Sequence, residues 1–273
     1  MLRGLLFAIL THFSVAMETP LREVIQEFSQ SSTSEFEVWH QNVTLYDAEN
    51  LATAIESKKK LSKFSMPFCQ LTDTTSLPIL AALSQRHDLQ VIDFRYNELC
   101  QNATEFLALI TLNNPEIRIF NVAGNFLAID SFAEVISNLR LNSNLQSLDL
   151  HGIPLSKQTV KILITTLPTL SGLKDVNLML TQLQSELRSP LLRELAELKK
   201  LEALYLGYEN WLGLGEQIAT VIEKCPTFKK IDLRQCHLYQ EDLDRIQQAS
   251  KYSTQKPWFS FHQNEKPNVN VSV

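Results

Sequence analysis

Glycine is scarce in this chain of 273 residues, with only 7. None of the seven falls into a G-x-x-x-x-G-K-S/T loop or a G-x-G-x-x-G turn, which excludes the usual backbone cradles for nucleotide phosphates. The lone Gly213-Leu214-Gly215 reads as a loop. H-E-x-x-H and G-x-S-x-G are missing as well, so neither a helix-borne zinc protease site nor a nucleophile elbow is present. A basic excess is also lacking: 25 Lys and Arg stand against 30 Asp and Glu, for a net charge of -5 and a pI near 5.7. That balance argues against a phosphate-driven hold on nucleic acid, which needs a concentrated basic surface. The four cysteines, Cys69, Cys100, Cys225 and Cys236, form no C-x-x-C pair and read as reduced thiols. His87, His151, His237 and His262 are scattered, and Asp149 with His151 has no serine or cysteine nucleophile beside it. No cofactor, no metal and no membrane span are expected.

What the chain does have is a hydrophobic fraction of 44% laid out with a period. Residues 145–155, LQSLDLHGIPL, place apolar side chains at Leu145, Leu148, Leu150, Ile153 and Leu155. The same template starts at Glu35, Leu61, Leu89, Ile117, Leu145, Leu173, Leu201, Phe228 and Lys256, with successive intervals of 26, 28, 28, 28, 28, 28, 27 and 28. Recurrence of this kind is the signature of a solenoid. Cys69, Asn97, Asn125, Thr181, Cys236 and Asn264 fall where a small polar side chain can satisfy backbone groups as the chain leaves the strand; Val43, Ile153 and Glu209 depart from that column.

Each unit continues with helical periodicity, as in Leu77, Leu80, Ala81 and Leu83, or Phe132, Val135, Ile136 and Leu139. Residues 73–75 and Asp130-Ser131 supply N-caps. Pro115, Pro168 and Pro226 close helices shortly before the next strand. At the start, Arg3, the apolar residues 5–10 and Ser14-Val15-Ala16 resemble a secretory signal, which would begin the mature chain near Met17. Stepping 28 residues back from Glu35 gives instead Phe7, Leu10, His12, Val15 and Met17 on the template, followed by Leu21, Val24, Ile25 and Phe28 on a helix. This cap repeat is the preferred reading.

A strand-plus-helix unit of this length resembles the ribonuclease-inhibitor-like class of leucine-rich repeats over about residues 7–266. The resemblance implies a single α/β domain over residues 1–273: a horseshoe with parallel strands inside and helices outside. It divides into an N-terminal cap repeat at 7–34 (or a signal peptide at 1–16), eight repeats over 35–255, and a capping strand with tail at 256–273.

The residue between the second and third apolar sites should face the concave side. That column reads Trp39, Ser65, Asp93, Asn121, Asp149, Asn177, Tyr205, Asp232 and Ser260, and the following positions add Arg95, Tyr96, His151, Tyr208 and Arg234. The Asp and Asn members are common in such repeats and keep an exposed sheet soluble. Tyr205, Tyr208, Arg234 and Trp258 form one candidate patch, and Trp39, Phe68, Arg95 and Tyr96 a second, being rich in the residue types of binding hot spots. The expected function is a non-enzymatic, monomeric scaffold that grips a protein partner with its concave face. Its expected place is the cytoplasm, and the chain resembles stand-alone repeat effectors that intracellular bacteria inject into host cytosol. The alternatives are an inhibitor or regulator of an enzyme and, with the signal reading, a secreted or surface receptor. Asn42-Val43-Thr44, Asn102-Ala103-Thr104 and Asn270-Val271-Ser272 match glycosylation acceptors, which matter only on that secreted route.

Overall fold

A computed structural model describes residues 20–252 and the strand at 258–260. Helices and three-residue strands alternate strictly: α1 (Leu21–Gln30), β1 (Glu35–Glu37), α2 (Leu45–Ser57), β2 (Lys63–Ser65), α3 (Asp73–Ser84), β3 (Val91–Asp93), α4 (Gln101–Asn113), β4 (Ile119–Asn121), α5 (Phe132–Leu139) and β5 (Ser147–Asp149). Then come α6 (Lys157–Thr166), β6 (Asp175–Asn177), α7 (Ser185–Leu195), β7 (Ala203–Tyr205), α8 (Gly215–Lys224), β8 (Lys230–Asp232), α9 (Gln240–Tyr252) and β9 (Trp258–Ser260). The nine strands form one parallel sheet in sequence order. Strands stack at ~4.8 Å whereas helices are ~10 Å across, so laying the two side by side bends the stack, sheet inward.

The pairing register shows why the period is so regular. Phe36, Phe64, Ile92, Phe120, Leu148, Val176, Leu204 and Ile231 are successive partners, and all are buried in one core running from Leu21 to Ala249. A residue offset by one from this row would turn to the other face of the sheet. At the N-terminal end the core around this row is aromatic, with Phe28, Phe36, Phe64 and Phe94 in ring contact at centroid distances of 4.9, 5.3 and 5.6 Å.

This register corrects the reading of the first unit. Phe36 pairs with Phe64 and Glu37 with Ser65, so the interval there is 28, as in most units, and the in-register start is Thr33 rather than Glu35. The bulkier Phe36 takes the core position expected for Val38. Glu37 replaces Trp39 in the concave column, and His40 lies outside the core and exposed. The template positions Phe7, Leu10, His12, Val15 and Met17, the choice between cap and signal peptide, and the tail from 261 on lie outside the described residues.

Two expected N-caps also differ. Thr72, not Asp73, caps α3, closing a capping box with Thr75; Asp73 instead accepts from the backbone N–H groups of Cys100 (2.7 Å) and Asn102 (3.2 Å) in the next unit. Ser131 sits at the N-cap of α5 in helical conformation and makes no capping bond.

The internal polar column locks the units together. Asn97 Oδ1 accepts from the N–H of Cys69 (2.9 Å) and Leu71 (3.0 Å), and its Nδ2 donates to the carbonyls of Met66 and Phe94, both at 2.8 Å. Asn125 repeats the arrangement with Leu99, Phe94 and Val122. The thiols of Cys69 and Cys236 donate to backbone carbonyls from the same column. Glu209, which breaks the pattern in sequence, is a longer substitute: its carboxylate accepts the Gln182 N–H and lies 3.7 Å from Arg188 Nη2.

Candidate protein-binding surface

The first and third residues of each strand share the inner face of the sheet. The third residue is Asp or Asn in five of the units, and in each its Oδ1 accepts the N–H two residues on: Asp93 from Arg95, Asn121 from Ala123, Asp149 from His151, Asn177 from Met179 and Asp232 from Arg234, all at 3.1–3.2 Å. The side chain thus makes the turn that ends the strand. Asp93 and Asp232 are only 8% and 4% exposed, so these carboxylates are not the solvated column expected from sequence. Asp149 remains half-buried. Burial pushes the Asp93 and Asp149 carboxyls above the ordinary value, against the turn bonds and the nearby Arg95 and His151.

One residue past that turn bond, every unit from β1 to β8 carries a residue with left-handed backbone. The series is His40, Phe68, Tyr96, Gly124, Gly152, Leu180, Tyr208 and Gln235, with φ between 53° and 72°. A non-glycine residue there costs about 1–3 kcal/mol, yet six of the eight positions have one. Their side chains line the edge of the sheet. His40 stacks on Phe68 at 4.9 Å and Phe68 on Tyr96 at 4.6 Å. The Tyr96 ring then crosses Gly124 to meet the His151 ring edge-on at 6.1 Å, with its hydroxyl 3.4 Å from His151 Nδ1. Beyond the two glycines Leu180 and Tyr208 resume the row, 45% and 37% exposed.

The second sequence patch is therefore assembled by the fold. Arg95 stacks over Trp39 at 4.8 Å and lies 3.6 Å from Asp93, while Phe68 and Tyr96 continue the cluster to Asp149 and His151. The first patch is assembled in part. Arg234 chelates Asp232 through Nε and Nη2 at 2.6–3.0 Å and lies 5.6 Å over the Tyr208 ring. Tyr205 faces Lys230 at 4.8 Å rather than Arg234. Trp258 opens β9 opposite Lys230; its side chain lies outside what is described.

The sequence reading misses the first residues of the strands, among them Lys63, Val91, Ile119 and Lys230, which share the inner face; simple i, i+2 alternation finds them. It misses His40 through the two-residue register error. On the outer side, a groove of about 430 Å³ lies between α1 and α2, lined by Arg22, Gln26, Tyr46, Asp47 and Asn50 among others.

Among the described residues no group of three or more His, Cys, Asp or Glu is placed to hold a metal ion, and no helix is long and apolar enough to cross a membrane. None of the four cysteines is in a disulfide.

Parallel strands at a constant offset, an internal polar ladder and outer helices define a leucine-rich-repeat solenoid of the α/β, ribonuclease-inhibitor-like kind. No protein-family model matches the chain, and no curated protein matches it. Among solved structures it is similar to the C-terminal domain of tropomodulin from Caenorhabditis elegans (15% identity, 67% of this chain and 93% of that one, TM-score 0.41). It is also similar to an internalin, inlF, from Listeria monocytogenes (14% identity, 94% and 90%, TM-score 0.38) and to a protein from Bacteroides fragilis (10% identity, 87% and 76%, TM-score 0.44). Likenesses this distant add nothing to what the repeat geometry establishes.

Proposed function

We propose that this protein is a non-enzymatic, monomeric scaffold that holds a protein partner on its concave face and the loop edge beside it. The observation that carries the reading is the row His40, Phe68, Tyr96, Leu180 and Tyr208. Bulky side chains recur where the backbone is left-handed and glycine would be the unstrained choice, and Tyr96, Leu180 and Tyr208 are left facing solvent. The ring stacks account for His40 and Phe68; the solvent-facing Tyr96, Leu180 and Tyr208 suit a surface that must meet apolar groups of a partner. Action in a reducing cytosol, including that of a host cell after delivery by a bacterium, belongs to the same proposal. Its support is that none of the four cysteines is in a disulfide, the usual state in a reducing compartment.

The test is affinity capture with the full chain, comparing wild type with a Tyr96→Ala/Tyr208→Ala variant by quantitative mass spectrometry. The reading expects specific proteins recovered with wild type and depleted with the variant. Equal recovery of every protein would overturn it.

A further inference from the structure

The loop edge repeats a three-part unit: a carboxylate at the strand end, a guanidinium two residues later, and an aromatic ring beneath the guanidinium. Asp93, Arg95 and Trp39 form one such unit; Asp232, Arg234 and Tyr208 form another. In the middle of the sheet the carboxylate is Asp149 and the ring is Tyr96, but the residue two after the carboxylate is His151; the Asn177 side chain hydrogen-bonds Asp149 and Arg95 acts on it from a distance, yet among the described residues no lysine or arginine forms an ion pair with it. Asp93 and Asp232 are 8% and 4% exposed, whereas Asp149 is half-buried.

The same place lacks a rung of the side-chain row. Tyr96 fills the space over Gly124, whereas a Cβ built on Gly152 would make no close contact with other units, the Gly124 Cα and N lying at an ordinary 3.7 Å. Between Tyr96 with His151 on one side and Leu180 on the other the row is thus a shallow notch, where glycine backbone takes the place of a side chain. Asp149 stands beside it.

Resting on the scaffold reading above, we propose that the partner presents an arginine side chain to this notch. Its guanidinium pairs with Asp149 and lies against the Tyr96 and His151 rings, completing in trans the unit that Arg95 and Arg234 complete in cis. An arginine suits the site better than a lysine because its planar fork engages both carboxylate oxygens while its face packs on a ring.

The experiment is an amide-resolved NMR titration of the full chain with acetyl-Gly-Arg-Gly-amide, run beside the corresponding Lys and Leu peptides. Asp149→Asn is the matched variant. It keeps the oxygen that closes the strand turn, as Asn121 and Asn177 do at the same position, and removes the charge, so the fold is retained. The arginine peptide should give saturable shifts centred on Gly124, Asp149 and Gly152, about tenfold weaker in the variant, with the lysine peptide weaker than arginine and the leucine peptide inert. Shifts absent from these amides, equal for all three peptides, or undiminished in the variant would overturn the notch. Partner capture that fails while the arginine peptide still binds would count against the scaffold reading and leave the notch standing. Capture that survives Asp149→Asn together with silent peptide titrations would do the reverse.

Discussion

Tyr96 lies across Gly124 so closely that a Cβ on the glycine would meet Cδ1 of the ring at 2.5 Å. The glycine is favoured by its φ of 64° and required by the ring that occupies the side-chain space. Gly152, with φ 72° and no such ring, is favoured only by its backbone.

Gly124→Ala is therefore expected to destabilise the protein by more than Gly152→Ala, whose backbone strain alone costs about 1–2 kcal/mol. In a Tyr96→Ala background the excess penalty at position 124 should vanish. Urea unfolding of the four variants checks this, and an equal cost at both glycines would show that the ring does not sit where it is placed.

Asn97 satisfies two N–H groups and two carbonyls inside the stack. Asn97→Ala strands buried backbone groups at about 1–3 kcal/mol each, only partly relieved by relaxation. A loss of about 3–4 kcal/mol is expected in denaturant unfolding. Asn97→Asp should also destabilise, because it keeps the acceptor and removes both donated bonds.

Burial pushes the thiols of Cys69 and Cys225 up to about 11 and that of Cys236 to about 12. Cys100 is also raised, but it is only half-buried. Alkylation of the native protein near neutral pH should modify Cys100 alone, and denaturation should expose all four. Rapid native modification of Cys69 or Cys236 would contradict their place in the internal column.

Asp175 opens β6 on the inner face. Burial first and Glu202 second push its carboxyl above the ordinary value, with Lys174, Lys229 and Lys230 working against them. The folded state therefore binds this proton more tightly than the unfolded chain does, and stability is lost as pH rises through the raised value. Asp175→Asn should be more stable than wild type at neutral pH, with the advantage fading as pH falls towards 3.8. Melting curves across that range check the sign.

Much of this architecture is legible in the sequence because a parallel stack demands the same side chain at the same offset in every unit. Leu148 and Leu150 announce the strand and Asn97 the ladder, and Pro115 and Pro226 mark helix ends, whereas Pro78 and Pro190 sit inside helices. The first unit is misplaced from sequence because Glu35-Phe36-Glu37 and Val38-Trp39-His40 both offer an apolar centre, and only the pairing to Phe64 decides between them. The roles of the Asp column are not legible: a carboxylate that closes its own turn and one that faces a partner have the same letter. Nor are the contacts beside the side-chain row that jump a unit, Trp39 to Arg95 and, across Gly124, Tyr96 to His151.

Hydrogen–deuterium exchange on the complex with a captured partner tests the central claim most directly. The account predicts new protection in the loops that follow the strands, over residues 94–98, 122–126, 150–154 and 178–182, with the outer helices unchanged. Protection confined to the groove between α1 and α2, with those loops exchanging as in the free protein, would contradict it.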